Sequence, residues 1–206
     1  MKQKMQHFKQ YFIVSKKMYL FLFILFIIAI IAGSVFSITL NEVDNDLVTT
    51  YLNNYLNLVK EKNIVFKESF LNFILSNSIT NLIIWLLGFS VIGIPIIIFL
   101  FFYKCFIIGF AISSIILRYK AKGILLGLFY VFPHHIISIL LLMILSIYAL
   151  SVSINIIKAI LKRKEISFKE ITNRYIVILL ITFISTLLLG IYESYILPKI
   201  LFMIIS

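Results

Sequence analysis

The chain has 206 residues, 62% of them hydrophobic and only 13% charged, with a mean hydropathy of +1.11 and a formal net charge of +11. So little charge cannot cover the surface of a soluble domain of this length, and the composition is that of an integral membrane protein. The positive charges fall in short runs beside apolar segments, which fits orientation against a membrane rather than a nucleic-acid surface. The single cysteine, Cys105, excludes an intramolecular disulfide and a cysteine-rich metal site.

Residues 1–18 carry Lys2, Lys4, Lys9, Lys16 and Lys17 and no acid, and Tyr19–Leu40 is then apolar throughout. About 20 such residues cross the hydrocarbon, so this is a first span with its basic end in the cytoplasm. The run is too long for the apolar core of a cleaved signal peptide, and no small-x-small site ends it.

Asn41–Asn77 is the one polar stretch of any length, and it holds Glu42, Asp44, Asp46, Glu61 and Glu68. Within it Val48, Tyr51, Leu52, Tyr55, Leu56 and Val59 recur at three- and four-residue steps, which predicts one face of a helix. Asp44, Asn45 or Asp46 is placed to cap that helix. Either the helix packs on the bundle or the outer leaflet, or it is a docking surface for a partner, with Tyr51, Tyr55, Glu42, Asp44 and Asp46 as the docking candidates.

A second span is expected over 70–89 and a third over 94–117, because Ile79–Leu117 is too long for one crossing. Gly88, Gly93 and Pro95 interrupt the apolar run, and a proline without an amide hydrogen marks Gly93-Ile94-Pro95 as a break. The apolar stretch 123–157 is also over-long and is divided by Pro133. It is either one tilted helix, or a half-helix ending near Phe132 with a second starting at Pro133. Basic residues from Lys158 to Arg174 then precede a last span over 175–197. The expectation is a single all-α polytopic membrane domain, 1–206, of about five transmembrane helices. Its amino terminus is cytoplasmic, its carboxyl terminus and the segment 41–69 extracytoplasmic, and its helices are broken at Gly93-Pro95 and Pro133. Arg118, Lys120 and Lys122 then lie outside, against the positive-inside tendency.

Ionisable residues inside membrane segments are costly and often functional. Lys104 lies about 15 Å into the third span and His134 about 16 Å into the fourth from the opposite side, so the two meet near mid-membrane. Glu193 lies about 27 Å into the last span; a straight Lys104–Glu193 salt bridge misses by roughly 12 Å in depth unless tilt or half-helices close the gap. The structural reading makes these residues donors and acceptors for backbone groups freed at the breaks. A transporter reading takes them as a mid-membrane polar site. No nucleophile–base pair, paired carboxylates or phosphate-cradling loop is visible, and two adjacent histidines are a poor metal site, so neither an enzyme nor a bound cofactor or metal is expected.

Several of these residues carry a resemblance. Trp85-Leu86-Leu87-Gly88-Phe89-Ser90-Val91-Ile92-Gly93-Ile94-Pro95, with Phe102-Tyr103-Lys104 and Gly109-Phe110, resembles the core of the stage II sporulation protein M family. The likeness extends to Phe66–Leu71, Gly123–Leu126, Val131-Phe132-Pro133, Glu193-Ser194-Tyr195 and Pro198. It implies a multi-pass protein on the mother-cell side of the sporulation septum. There it would be a non-catalytic scaffold of engulfment that anchors or localises the peptidoglycan-degrading stage II sporulation proteins D and P. Self-association is compatible with the sequence, and a nucleic-acid partner is not expected. Cys105 stands where the family pattern favours glycine, which bears on how closely helices approach there.

Overall fold

The computed structural model describes residues 2–60, 66–127, 132–162 and 168–205. The described chain is helical: α1 (Lys2–Ile38), α2 (Glu42–Lys60), α3 (Phe66–Leu87), α4 (Gly93–Leu126), α5 (Phe132–Lys162), α6 (Phe168–Ile191), a π-helical turn (Tyr192–Ile196) and α7 (Leu197–Ile205). Among the described residues five helical segments are long and apolar enough to cross a membrane: Lys16–Ile38, Glu68–Leu87, Gly93–Leu126, His134–Leu161 and Tyr175–Phe202. The fold is a polytopic helical bundle, as the composition requires.

Side-chain pairings fix the direction of each helix. Ile30 lies against Gly109, and Ser37 meets Ser114, so α1 and α4 run parallel. Asn81 meets Thr186 and Gly88 meets Tyr175, so α3 and α6 are antiparallel. Phe73 lies against His134 and Gly88 against Ala149, so α5 runs with α3. The bundle therefore has two ends. One carries Met18, the α3–α4 turn, Ser153 and Tyr175; the other carries α2, Arg118, the start of α5 and the π-helical turn. Lys16, Lys17 and Lys158 all belong to the first, which we call the Gly88 end.

The α1–α4 seam is the tightest in the molecule. A Cβ on Gly33 would strike the carbonyl oxygen of Phe106, and one on Gly109 would strike that of Ile30. Glycine at both positions lets the backbones touch, as small residues do at membrane interfaces. Ser37 Oγ and Ser114 Oγ then bond at 2.7 Å, and Ser34 Oγ reaches the Gly109 carbonyl at 3.3 Å. Cys105 is fully buried immediately before Phe106, whose carbonyl oxygen meets Gly33, so the close approach holds beside the cysteine as well as one turn on at Gly109.

The break expected near Gly93-Pro95 is there: α3 ends at Leu87, residues 88–92 are non-helical, and α4 restarts at Gly93 with Pro95 inside its first turn. That position suits proline, whose missing amide hydrogen has no intrahelical acceptor there. Of the two arrangements open for 123–157, the described parts show two helices, α4 ending at Leu126 and α5 starting at Phe132 with Pro133 in its first turn; residues 128–131 lie outside the described set. A second interruption, not expected from sequence, falls at Lys120 (φ 50°, ψ −123°). Beyond it residues 121–126 fold back, and a Cβ on Gly123 would come within 2.5 Å of the Ile115 carbonyl oxygen.

Candidate functional site

In the α3–α4 turn the carbonyls of Ile84, Trp85 and Ser90 keep backbone partners at 3.1–3.2 Å, and side chains from two other helices add bonds to them and to the Gly88 carbonyl. Ser153 Oγ of α5 donates to the carbonyls of Gly88 (2.9 Å) and Ser90 (3.0 Å), as alternative acceptors for its one proton. Tyr175 OH of α6 donates to the Trp85 carbonyl at 2.8 Å and reaches that of Ile84 at 3.4 Å. The tyrosine ring stacks on Trp85 with centroids 5.6 Å apart and meets Phe89 edge-on at 5.3 Å. A Cβ on Gly88 would occupy the place of the Tyr175 hydroxyl and approach Ala149 Cα to 3.0 Å. Gly88 is thus a contact glycine. At Gly93 a Cβ would strike the Leu87 carbonyl oxygen, so that glycine permits the turn itself.

A polar cluster lies farther along the bundle. Lys104 Nζ of α4 donates to Asn77 Oδ1 at 3.4 Å and to Ser76 Oγ at 3.5 Å, both on α3. His134, only 1% exposed, places Nε2 3.6 Å from Glu193 Oε2, and its ring lies 4.1 Å from that of His135. Phe73 and Tyr192 flank the same histidine. Glu193 and His135 also lie within Coulombic reach of Lys104. Of the three intramembrane candidates read from sequence, His134 and Glu193 are brought together, while Lys104 bonds Asn77 and Ser76 and has no described carboxylate oxygen within 4.0 Å.

No Lys104–Glu193 salt bridge forms, as the depth offset expects, and Glu193 faces His134 from a stretch of helix that is not regular. Pro198 has no amide hydrogen for the Ser194 carbonyl, and its ring crowds that oxygen. The preceding turn widens to a π-helix, in which Leu197 N–H bonds the carbonyl of Tyr192 five residues back. Single π-helical turns of this kind often occur at functional sites, and this one carries Glu193. The start of α5 just after an interruption brings His134 to the same level. Ser76, Asn77 and His135 complete the cluster; only the lysine's lack of a same-helix acid hinted at amides elsewhere.

α2 is held at the other end. Asn41 Oδ1 accepts from the Asp44 amide at 2.8 Å, so the cap is Asn41 rather than Asp44, Asn45 or Asp46, which lie inside the first turns. Val59 is buried, and Leu52, Tyr55 and Leu56 are half-buried against the core. Tyr51, expected on that face, is 74% exposed. It precedes Leu52 by about 100° around the helix, beyond the margin of the packed face. Arg118 Nε donates to Thr49 Oγ1 at 2.7 Å, its other nitrogens reach Asn45 and the Ser114 carbonyl, and Tyr119 OH donates to Asn53 Oδ1 at 2.6 Å. The arginine that opposed the charge rule ties α4 to α2, together with Tyr119. Glu42, Asp44 and Asp46 are exposed, and among the described residues none makes an ion pair.

No curated protein and no solved structure matches the chain significantly. The family model described as Stage II sporulation protein M matches residues 22–198, from the first apolar span through Pro198. That range contains the Gly88 turn, the Lys104 cluster and α2 together, and the chain belongs to the stage II sporulation protein M family, a family of sporulation-related membrane proteins.

Proposed function

We propose that this protein is a non-catalytic membrane scaffold of engulfment, which anchors or localises stage II sporulation proteins D and P at the septum. Those partners degrade peptidoglycan; this chain holds them in place. The observation that carries the reading is family membership over residues 22–198. The architecture supports it: among the described residues five apolar spans make an anchor, and α2 offers an extramembrane surface with exposed Glu42, Asp44 and Asp46, of which Asp44 shares the side of the exposed Tyr51. On this reading the Gly88 end, with Lys16, Lys17 and Lys158, faces the mother-cell cytoplasm, and α2 and the carboxyl terminus face outward.

The test is affinity purification of the tagged protein from sporulating membranes, with quantitative identification of what accompanies it. Recovery of proteins D and P, lost on deleting residues 41–62, is the expected result. Normal recovery with the deletion removes α2 as the docking surface, and no recovery with the intact protein refutes the scaffold.

A second reading, a permease-like protein, draws on the largely buried His134–Glu193 pair beside an interrupted helix and on Lys104 in the same bundle. It requires a hydrated path, so with Cys105 replaced by alanine a water-soluble thiol reagent would label Lys104→Cys in native membranes. Labelling only after solubilisation and unfolding excludes it.

A further inference from the structure

Lys104 is met by a carboxamide and a hydroxyl, at 3.4 and 3.5 Å, distances at the outer edge of hydrogen bonding. Ser76 is on the outward face of α3 between Leu75 and Ile79, each 55% exposed, and Tyr103 beside the lysine is likewise outward. The polar spot thus opens on a largely apolar surface, on which Asn72 and Thr80 are the neighbouring polar side chains of α3.

Three sources of a counter-charge can be compared. Lys104 lies eleven residues from Gly93 and fifteen from Tyr119, about 16 and 22 Å along the helix. Neither distance is within reach of four methylenes, so lipid phosphate is not its partner. Of the eight carboxylate residues in the chain, Glu193 alone falls well inside an apolar span. It is turned to His134, and no described carboxylate oxygen comes within 4.0 Å of Lys104. A second copy of the chain brings no other acid to that depth. Charged groups at such depth normally pair with one another or with backbone carbonyls.

We infer that the Lys104–Ser76 spot is a docking site for the membrane-spanning helix of a different protein, one that carries a carboxyl group near its midpoint. The carboxyl group accepts from Lys104 Nζ and Ser76 Oγ, and the remainder of that helix packs over Leu75, Ile79 and Tyr103. The inference rests on the scaffold reading and adds a place within the bilayer where a partner is gripped, separate from α2.

The test uses the full-length protein in liposomes with labelled poly-leucine transmembrane peptides bearing one central Asp, Asn or Leu, read by energy transfer. The Asp peptide should associate on the order of tenfold more tightly than the Leu peptide, the size of a polar contact between membrane helices. Lys104→Met should abolish that advantage and Lys104→Arg should retain it. Ile79→Trp, on the lipid-facing surface, should block the Asp peptide with no change in Tm, which covers the case in which Lys104→Met disturbs the fold. Equal binding of the Asp and Leu peptides overturns the inference. So does an advantage that survives Ile79→Trp, or one that survives Lys104→Met at unchanged Tm. The scaffold reading fails separately: partners retained by Lys104→Met but lost with residues 41–62 leave the scaffold standing and remove this site.

Discussion

Replacing Gly88 by alanine puts a methyl group where the Tyr175 hydroxyl stands and brings it to 3.0 Å from Ala149 Cα. The tyrosine must withdraw, and its 2.8 Å bond to the Trp85 carbonyl goes with it. Forcing a methyl into packed space costs about 1–3 kcal/mol. A hydrogen bond between membrane helices is worth about 0.6–2 kcal/mol. Gly88→Ala should therefore destabilise the fold by about 2–4 kcal/mol. Tyr175→Phe alone removes only the bond and should cost about 1–2 kcal/mol. In the Tyr175→Phe background the oxygen nearest the new methyl is already gone, and no bond remains to be lost. Gly88→Ala should then cost at least about 1 kcal/mol less than it does in the intact protein, a coupling typical of residues in contact. The assay is denaturant unfolding in mixed micelles, followed by fluorescence of Trp85, the chain's single tryptophan, which stacks on Tyr175. Additive costs, within about 0.5 kcal/mol, would refute the reasoning.

Two further outcomes follow from the same coordinates. With Cys105 replaced by alanine, Ser37→Cys with Ser114→Cys should give an intramolecular disulfide on mild oxidation, because the native hydroxyls are 2.7 Å apart; a chain that stays reduced, seen by gel mobility and mass, would contradict the parallel α1–α4 seam. Arg118→Ala should free α2 from α4 and speed hydrogen exchange across residues 42–56 on the order of tenfold, equivalent to about 1.4 kcal/mol of lost local stability, while exchange in α6 stays unchanged; exchange in α2 equal to that of the native protein would show that Arg118 does not hold it.

Gly93 and Pro95 announced a break because proline's missing amide and glycine's missing side chain act on their own backbone. Pro133 did so for the same local reason. Ser153 and Tyr175, which satisfy that break, gave no such sign: a serine and a tyrosine in apolar runs are ordinary until helices 63 and 90 residues away are laid beside them. The interruption at Lys120 was hidden because a lysine with positive φ carries no glycine signature. The depth count along the helices keeps Lys104 and Glu193 from pairing, and no contact within 4.0 Å joins them, but the partner that Glu193 takes instead, His134, shows only once α5 and the π-turn are side by side. Asn41 caps α2 because the helix starts earlier than its apolar face, which leaves Asp44, Asn45 and Asp46 inside the first turns. Gly33 pairs with Gly109 across the seam, and its role shows only in the partner's backbone.

The closure of the Gly88 turn by Tyr175 has a consequence for the order in which the protein is made. Trp85 and its donor are 90 residues apart. At translation rates of about 5–20 residues per second, roughly 5–18 s separate their synthesis. During that interval the α3–α4 turn holds itself by its own backbone bonds to the Ile84, Trp85 and Ser90 carbonyls, while the Gly88 carbonyl lacks its later donor, Ser153. The turn lies at the basic end of the bundle, where headgroups and water can serve that carbonyl until α5 and α6 arrive. The α3–α4 hairpin is thus sealed by two helices translated after it.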